Sequence, residues 1–232
     1  MKQPALNNSS KSGILPQLES ELYNLQKLAI GNNLLFDDEK RRKMVGYIEL
    51  LLEWNRSFNL IARGDEERIV TRHIVESVGL LIIADPPHSC LVMDVGSGGG
   101  FPAVPIKILR PDLRMTLVES NGKKASFLKN VGMGLSLHDY SVLDSRIENL
   151  TPSAILKQFL VMARAVAGLA VLWKWTSKHL LSGGKLMAIK GNDAEEIETA
   201  SKAGEISEIS TTPFPAWLNI EKSRVVISIV KK

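Results

Sequence analysis

The chain has 232 residues, of which 29 are Lys or Arg and 25 Asp or Glu, giving a formal net charge of +4 at pH 7, and it contains a single cysteine. A chain of this length buries roughly 70–75% of the surface its unfolded form exposes, so it needs no covalent staple, and the lone Cys90 excludes an internal disulfide. The polar start MKQPALNNSSKSG holds no signal-peptide core, and no apolar run of about 20 residues follows, which predicts a soluble, cytoplasmic protein. The mild positive excess favours a polyanionic partner without requiring one.

Residues 1–13 have little to bury and read as a disordered tail. Leu15, Leu18, Leu22 and Leu25 recur at steps of three and four, Pro16 suits a first turn, and Gly31-Asn32 supplies a stop, so a first amphipathic helix is expected. A second runs from a cap at Asp37 or Asp38 through Met44, Ile48, Leu51 and Leu52 towards Trp54. A third follows Asp65, with Ile69, Ile74, Val78 and Leu81 on one side. Proline lacks the amide donor and biases the residue before it away from helix, so Asp85-Pro86-Pro87 closes this helical region, residues 14–84. From residue 85 to 232 the pattern changes to short apolar runs between helical stretches: Leu91 to Val95, Met115 to Val118, Tyr140 to Leu143, Phe159 to Met162, Lys185 to Ile189, Ile206 to Ser210 and Val225 to Val230. Such alternation predicts an α/β domain with a largely parallel, Rossmann-like sheet under an N-terminal helical cap. The last two runs lack a clear intervening helix and are expected to pair as an antiparallel hairpin at the sheet edge.

Between Leu91 and Ile108 an apolar strand ends in Asp94-Val95, glycines follow at 96, 98, 99 and 100, and a proline-bearing helix begins. Glycine is required where the backbone takes positive φ or where a ligand must touch the main chain. A dinucleotide-binding G-x-G-x-x-G would need glycine at 101, where Phe101 stands. S-adenosylmethionine carries no phosphate, so its loop need not aim helix amides at an anion, and it fits better. Glu119 ends the second strand about twenty residues on, where a carboxylate can accept hydrogen bonds from both ribose hydroxyls or cap the turn through Ser120 and Asn121.

From about Leu51 onward the chain closely resembles the glucose-inhibited division protein B family of bacterial ribosomal RNA guanine-N7 methyltransferases. The motifs that carry the resemblance are WNRSFNL at 54–60, RHIVES at 72–77, DVGSGGGFPAVP at 94–105, ES-x-x-KK-x-x-FL at 119–128, SRIE at 145–148, ARA at 163–165 and KG at 190–191. The resemblance implies a class I S-adenosylmethionine-dependent methyltransferase acting on 16S ribosomal RNA or the small subunit, at guanine 527 of the 530 loop. It implies that Gly96, Phe101, Ile147, Glu148 and Arg164 contact the cofactor, and with Glu119 the retained loop positions Asp94, Gly98 and Gly100 are expected to bind it too. Ala103 departs from the family, which usually has glycine there. A monomer is expected.

Other residues allow two readings each. Arg164 stands at the carboxyl edge of a strand and either orients an anionic group or makes a surface ion pair. Lys190 ends the next strand and is either a catalytic or RNA-phosphate contact or solvated. Trp54 and Phe58 suit the core better than base stacking, Asn55 and Asn59 suit loop capping, and His73 suits a buried seam better than general-base work. The KRRK run at 40–43 reads as a solvated helix face, and no His, Cys, Asp or Glu grouping has metal-ligand spacing.

Guanine N7 carries a lone pair and no proton, so its methylation demands alignment and desolvation without a base. The segment MARAVAG lacks the Asp/Asn-Pro-Pro-aromatic loop of amino-group methylases, and Cys90 precedes the first strand, against a cytosine-C5 mechanism. A ribose 2′-hydroxyl transferase, a nicotinamide-dependent oxidoreductase and a non-catalytic RNA-binding scaffold stand as alternatives.

Overall fold

In the computed structural model, which describes residues 14–232, three helices lead into a seven-stranded sheet. The expected 1–13 tail lies outside the described residues. The helices are α1 (Leu15–Gly31), α2 (Asp38–Phe58) and α3 (Val75–Ala84). Then follow β1 (Leu91–Val95), α4 (Ala103–Leu109), β2 (Arg114–Glu119), α5 (Gly122–Gly134), β3 (Tyr140–Asp144), β4 (Gln158–Arg164), α6 (Leu169–Thr176), β5 (Leu180–Gly191), α7 (Ala194–Ser201), β6 (Ile206–Pro213) and β7 (Arg224–Lys231). Strand order is β3-β2-β1-β4-β5-β7-β6, with β1 to β5 parallel and β7 antiparallel to both its neighbours. The last two strands do pair antiparallel, but β7 inserts beside β5 and only the more polar β6 forms the edge.

Alternation along each strand serves two cores. Val92, Leu117, Leu160, Met162 and Ile189 face the helical layer of α1 to α5, while Met93, Val95, Val161, Leu186 and Ile227 face α6 and α7. With both faces covered, alternate residues on either side are apolar, so the strands read as continuous apolar runs. The apolar stripes of α1 and α2 belong to the first of these cores, continuous with α4 and the sheet. Asp37 caps α2 by accepting from Lys40 N at 2.9 Å. Among the described residues no helix is long and apolar enough to cross a membrane.

The third helix differs from expectation. Arg63–Arg68 is 3₁₀, Ile69–Ile74 is π, and regular α-helix begins only at Val75. Ile69 and Ile74 are five residues apart, a spacing an α-helix places on different faces, and one π turn turns both into the core, where neither is exposed. The same turn carries His73 inward beside the loop after β1.

Candidate active site

The chain leaves β1 with β2 on one side and β4 on the other, and at such a switch point the carboxyl ends of the strands open a crevice for ligand. The glycine loop lies there. Gly96, Gly98 and Gly100 all have positive φ. A Cβ on Gly96 would stand 2.7 Å from Val166 Cγ2, so that position is closed by packing; at Gly98, with φ +54°, the nearest atom would be 3.8 Å away and the loop borders open space. Glu119 ties this loop to β2: Oε2 accepts from Gly98 N and Oε1 from Asn121 N, each at 2.8 Å. The turn-capping role is therefore real, and each carboxylate oxygen keeps a second acceptor site for a ligand hydroxyl. A cavity of about 180 Å³ adjoins the loop, lined among others by Val95, Gly96, Val118, Ile147, Glu148 and Val166. Sequence-distant Ile147 and Glu148 are thus brought beside the glycine turn.

Asp94 sits within β1 with no exposed surface, and neither carboxylate oxygen has a hydrogen-bond partner. Burial pushes its carboxyl up to about 8. The folded chain therefore keeps a proton that the unfolded chain releases near pH 4, so this group's contribution is complete below that pH and declines as pH rises towards about 8. Thermal unfolding followed from pH 4.5 to 9 should show Asp94→Asn losing less stability with rising pH than the parent chain. Parallel pH profiles for the two proteins would refute a buried, protonated Asp94.

On the opposite rim, Arg164 is neither free nor a surface ion pair. Its Nη1 donates to Glu76 Oε2 at 3.0 Å, its Nη2 donates to His73 Nδ1, and its guanidinium carbon lies 5.3 Å from the Phe101 ring centroid. Glu76, almost fully buried on α3, gives its other oxygen to Arg224 Nε of β7 at 3.0 Å. His73 stacks on Phe101 with centroids 4.9 Å apart. Burial first, and the Arg164 charge second, hold its imidazole down to about 3, so it is neutral, with the proton left on Nε2. His73 is a seam residue, as its sequence context suggested. Tyr47, buried on α2, meets Phe101 edge-on at 5.4 Å and donates to the Gly99 carbonyl. Neither Tyr47 nor Arg224 was flagged by sequence; Tyr47 is one more apolar-face residue of an amphipathic helix, and Arg224 merely precedes an apolar run.

Lys190 departs from both readings of it. Its ammonium is held by Glu196 of α7, whose Oε1 also accepts from Leu169 N at 2.8 Å, so the pair anchors α6 to α7. Asn55 caps the loop after α2, accepting from Ile61 N at 2.9 Å and donating to Glu66, while Asn59 ends the helix in the left-handed region. The KRRK run is largely tied locally, through Arg41 to Asp38 and Lys43 to Glu39.

The fold is similar to that of Aeropyrum pernix fibrillarin, a structure with natively bound S-adenosyl-L-methionine, at TM-score 0.53 and 12% identity over 68% of this chain and 76% of that one. Strand order, glycine loop and acid-ended β2 define a class I S-adenosylmethionine-dependent methyltransferase. More narrowly, the chain belongs to the GidB family, rRNA small subunit methyltransferase G, which matches over residues 40–224. It is 38% identical over 220 residues to ribosomal RNA small subunit methyltransferase G of Acetivibrio thermocellus, covering 90% of each chain, and 41% identical over 191 residues to that of a Roseiflexus species, covering 78% of this chain and 81% of the relative. Its cofactor is S-adenosylmethionine, and the residues present fit it: open space beside Gly98, spare acceptor capacity on Glu119 and a cavity that pairs apolar Val95, Val118 and Ile147 with polar Glu148.

Proposed function

We propose that this chain methylates N7 of a guanine in 16S ribosomal RNA, the guanine 527 of the 530 loop that the family resemblance implies. The observation that carries this reading is that three candidate proton acceptors are already engaged. His73 Nδ1 accepts from Arg164, Glu76 holds two arginines and Lys190 is paired with Glu196. Guanine N7 needs none of them, because its lone pair is unprotonated. A 2′-hydroxyl transfer would need a free base, and the Lys190–Glu196 pair counts against it.

In this reading Gly96, Gly98, Gly100 and Phe101 form the cradle, Glu119 receives the ribose hydroxyls, Ile147 and Glu148 flank the adenine, and Asp94 supports the loop from below. Arg164, fixed by Glu76, orients the bound groups from the β4 side. When bound, S-adenosylmethionine supplies the electrophilic methyl. The substrate is 16S ribosomal RNA or the small subunit, and the protein works in the cytoplasm as a monomer. Support for the substrate comes from the names its relatives carry, and for the compartment from a single cysteine. Residues 14–84 serve as the substrate-side cap and 85–232 as the methyltransferase domain.

Labelled methyl transfer to naked 16S ribosomal RNA, to the small subunit and to its assembly intermediates, with mapping of the product, tests the assignment. Calorimetry with S-adenosylhomocysteine and NADH separates it from an oxidoreductase or an inert scaffold. The single-turnover rate should be nearly flat between about pH 6 and 7, below the range in which Asp94 titrates. A tenfold rise per pH unit that disappears on replacing one base would overturn the base-free reaction.

A further inference from the structure

We propose that the exposed Phe58 ring, together with Lys123 and Lys124 at the start of α5, forms a docking surface for the single-stranded RNA next to the target base, the ring stacking a nucleobase and the cations holding phosphates. This rests on the ribosomal RNA reading above. Phe58 ends α2, and the chain then turns across the glycine loop, with the Leu60 carbonyl 3.3 Å from where a Cβ on Gly99 would stand. The residue therefore lies at the rim of the cofactor crevice. Trp54 anchors it from below, with its ring 5.4 Å from Phe58 and 5.6 Å from Phe127 of α5. Phe127 is fully buried, whereas Phe58 at the end of the same aromatic row is 37% exposed. A core role is thus filled by Trp54 and Phe127, and Phe58 presents its ring to solvent beside the site.

The charge around it decides the partner. α5 starts where Glu119 and Asn121 close the loop, and its first turn sets Lys123 Nζ 5.6 Å from the Phe58 centroid, with Lys124 adjacent. Among the described residues, Lys123 and Lys124 make no ion pair, in contrast to Arg41 and Lys43 of the remote KRRK run, which do. Lysines without ion pairs beside a partly exposed aromatic ring suit a polyanion that also offers π-faces, and that is single-stranded nucleic acid. A stacking base displaces the loose Lys123 contact and frees its ammonium for a phosphate. A base held in duplex has no free face to give.

Methyl transfer to 16S ribosomal RNA by the full chain tests this. Phe58→Ala should raise the KM for RNA about tenfold, within the range of a lost base–aromatic stack. Phe58→Leu, which keeps apolar contact with Trp54, should fail to restore it, and Phe58→Tyr should succeed. Replacing Lys123 and Lys124 together by Ala should flatten the salt dependence of RNA binding by about 1.4 in log–log slope, about 0.7 per lost phosphate contact. S-adenosylhomocysteine affinity should stay at the parent value in each variant. Parent-like KM in Phe58→Ala, full rescue by Leu, or an equal loss on a duplex RNA of the same length would overturn the surface. A parent chain that transfers methyl to no ribosomal RNA would instead overturn the substrate reading on which it rests.

Discussion

Gly98→Val should fold and yet lose at least a hundredfold in affinity for S-adenosylhomocysteine. At φ +54° a β-branched residue is strained by about 1–2 kcal/mol or more, because its Cβ crowds the carbonyl. The free protein can absorb this, since the nearest atom to the new Cβ is 3.8 Å away. The bound state cannot. The side chain would fill the space assigned to ligand, and if the backbone leaves the left-handed region to relieve strain, the Gly98 N to Glu119 bond at 2.8 Å breaks and the ribose acceptor is released. Gly98→Ala should lie between, with about tenfold loss. Gly96 offers the contrast, because there a Cβ would meet Val166 at 2.7 Å and the damage falls on folding. Circular dichroism and calorimetry on the three variants distinguish these cases. A folded Gly98→Val with parent affinity would remove the loop from the cofactor site.

The central strands were legible because both their faces are covered, which turns them into nearly unbroken apolar runs between turn residues. All seven expected runs are strands. What sequence could not show was the place of each in the sheet: β7 and β6 are both apolar-polar mixtures, and nothing local says that β7 slots in beside β5. The start of β5 at Leu180, five residues before the expected Lys185, was hidden because Ser182-Gly183-Gly184 reads as a turn, and the β4–β5 register is indeed irregular there. The π turn was hidden for another reason. Its mark, Ile69 followed by Ile74, looks like one more apolar stripe unless the step of five is weighed against a step of four.

The candidate site divides in the same way. Gly98 and Glu119 could be read from the chain because the turn and the strand end that place them are local features. The opposite rim could not. Arg164 meets Glu76 across 88 residues and Arg224 meets the same carboxylate across 148, and no periodicity records such a pairing. Lys190 was misread because a lysine at a strand's carboxyl end suggests a ligand, whereas its partner Glu196 is supplied by the next helix.

Arg164→Ala should lower the methyl-transfer rate at least tenfold and also cost about 3 kcal/mol of stability, the usual penalty for removing one partner of a buried pair. The two losses have one origin. Glu76, with its side chain 6% exposed, would keep only Arg224, and His73 Nδ1 would lose its donor. The Phe101 ring would lose the cation over its face, and with it a constraint on the helix that follows the glycine loop. Arg164→Lys tests the geometry: an ammonium is a point charge and cannot reach Glu76 and His73 together in the fork that a guanidinium provides. Lysine should therefore recover part of the stability through Glu76 but little of the rate. Without the Arg164 charge, the His73 imidazole should titrate higher than its present value of about 3, though burial, the larger cause, will keep it below the ordinary histidine range. Unfolding curves, single-turnover transfer and an NMR titration of His73 read these three effects separately. Parent stability together with parent kinetics in Arg164→Ala would show that the Glu76 cluster neither holds the rim together nor positions anything for transfer.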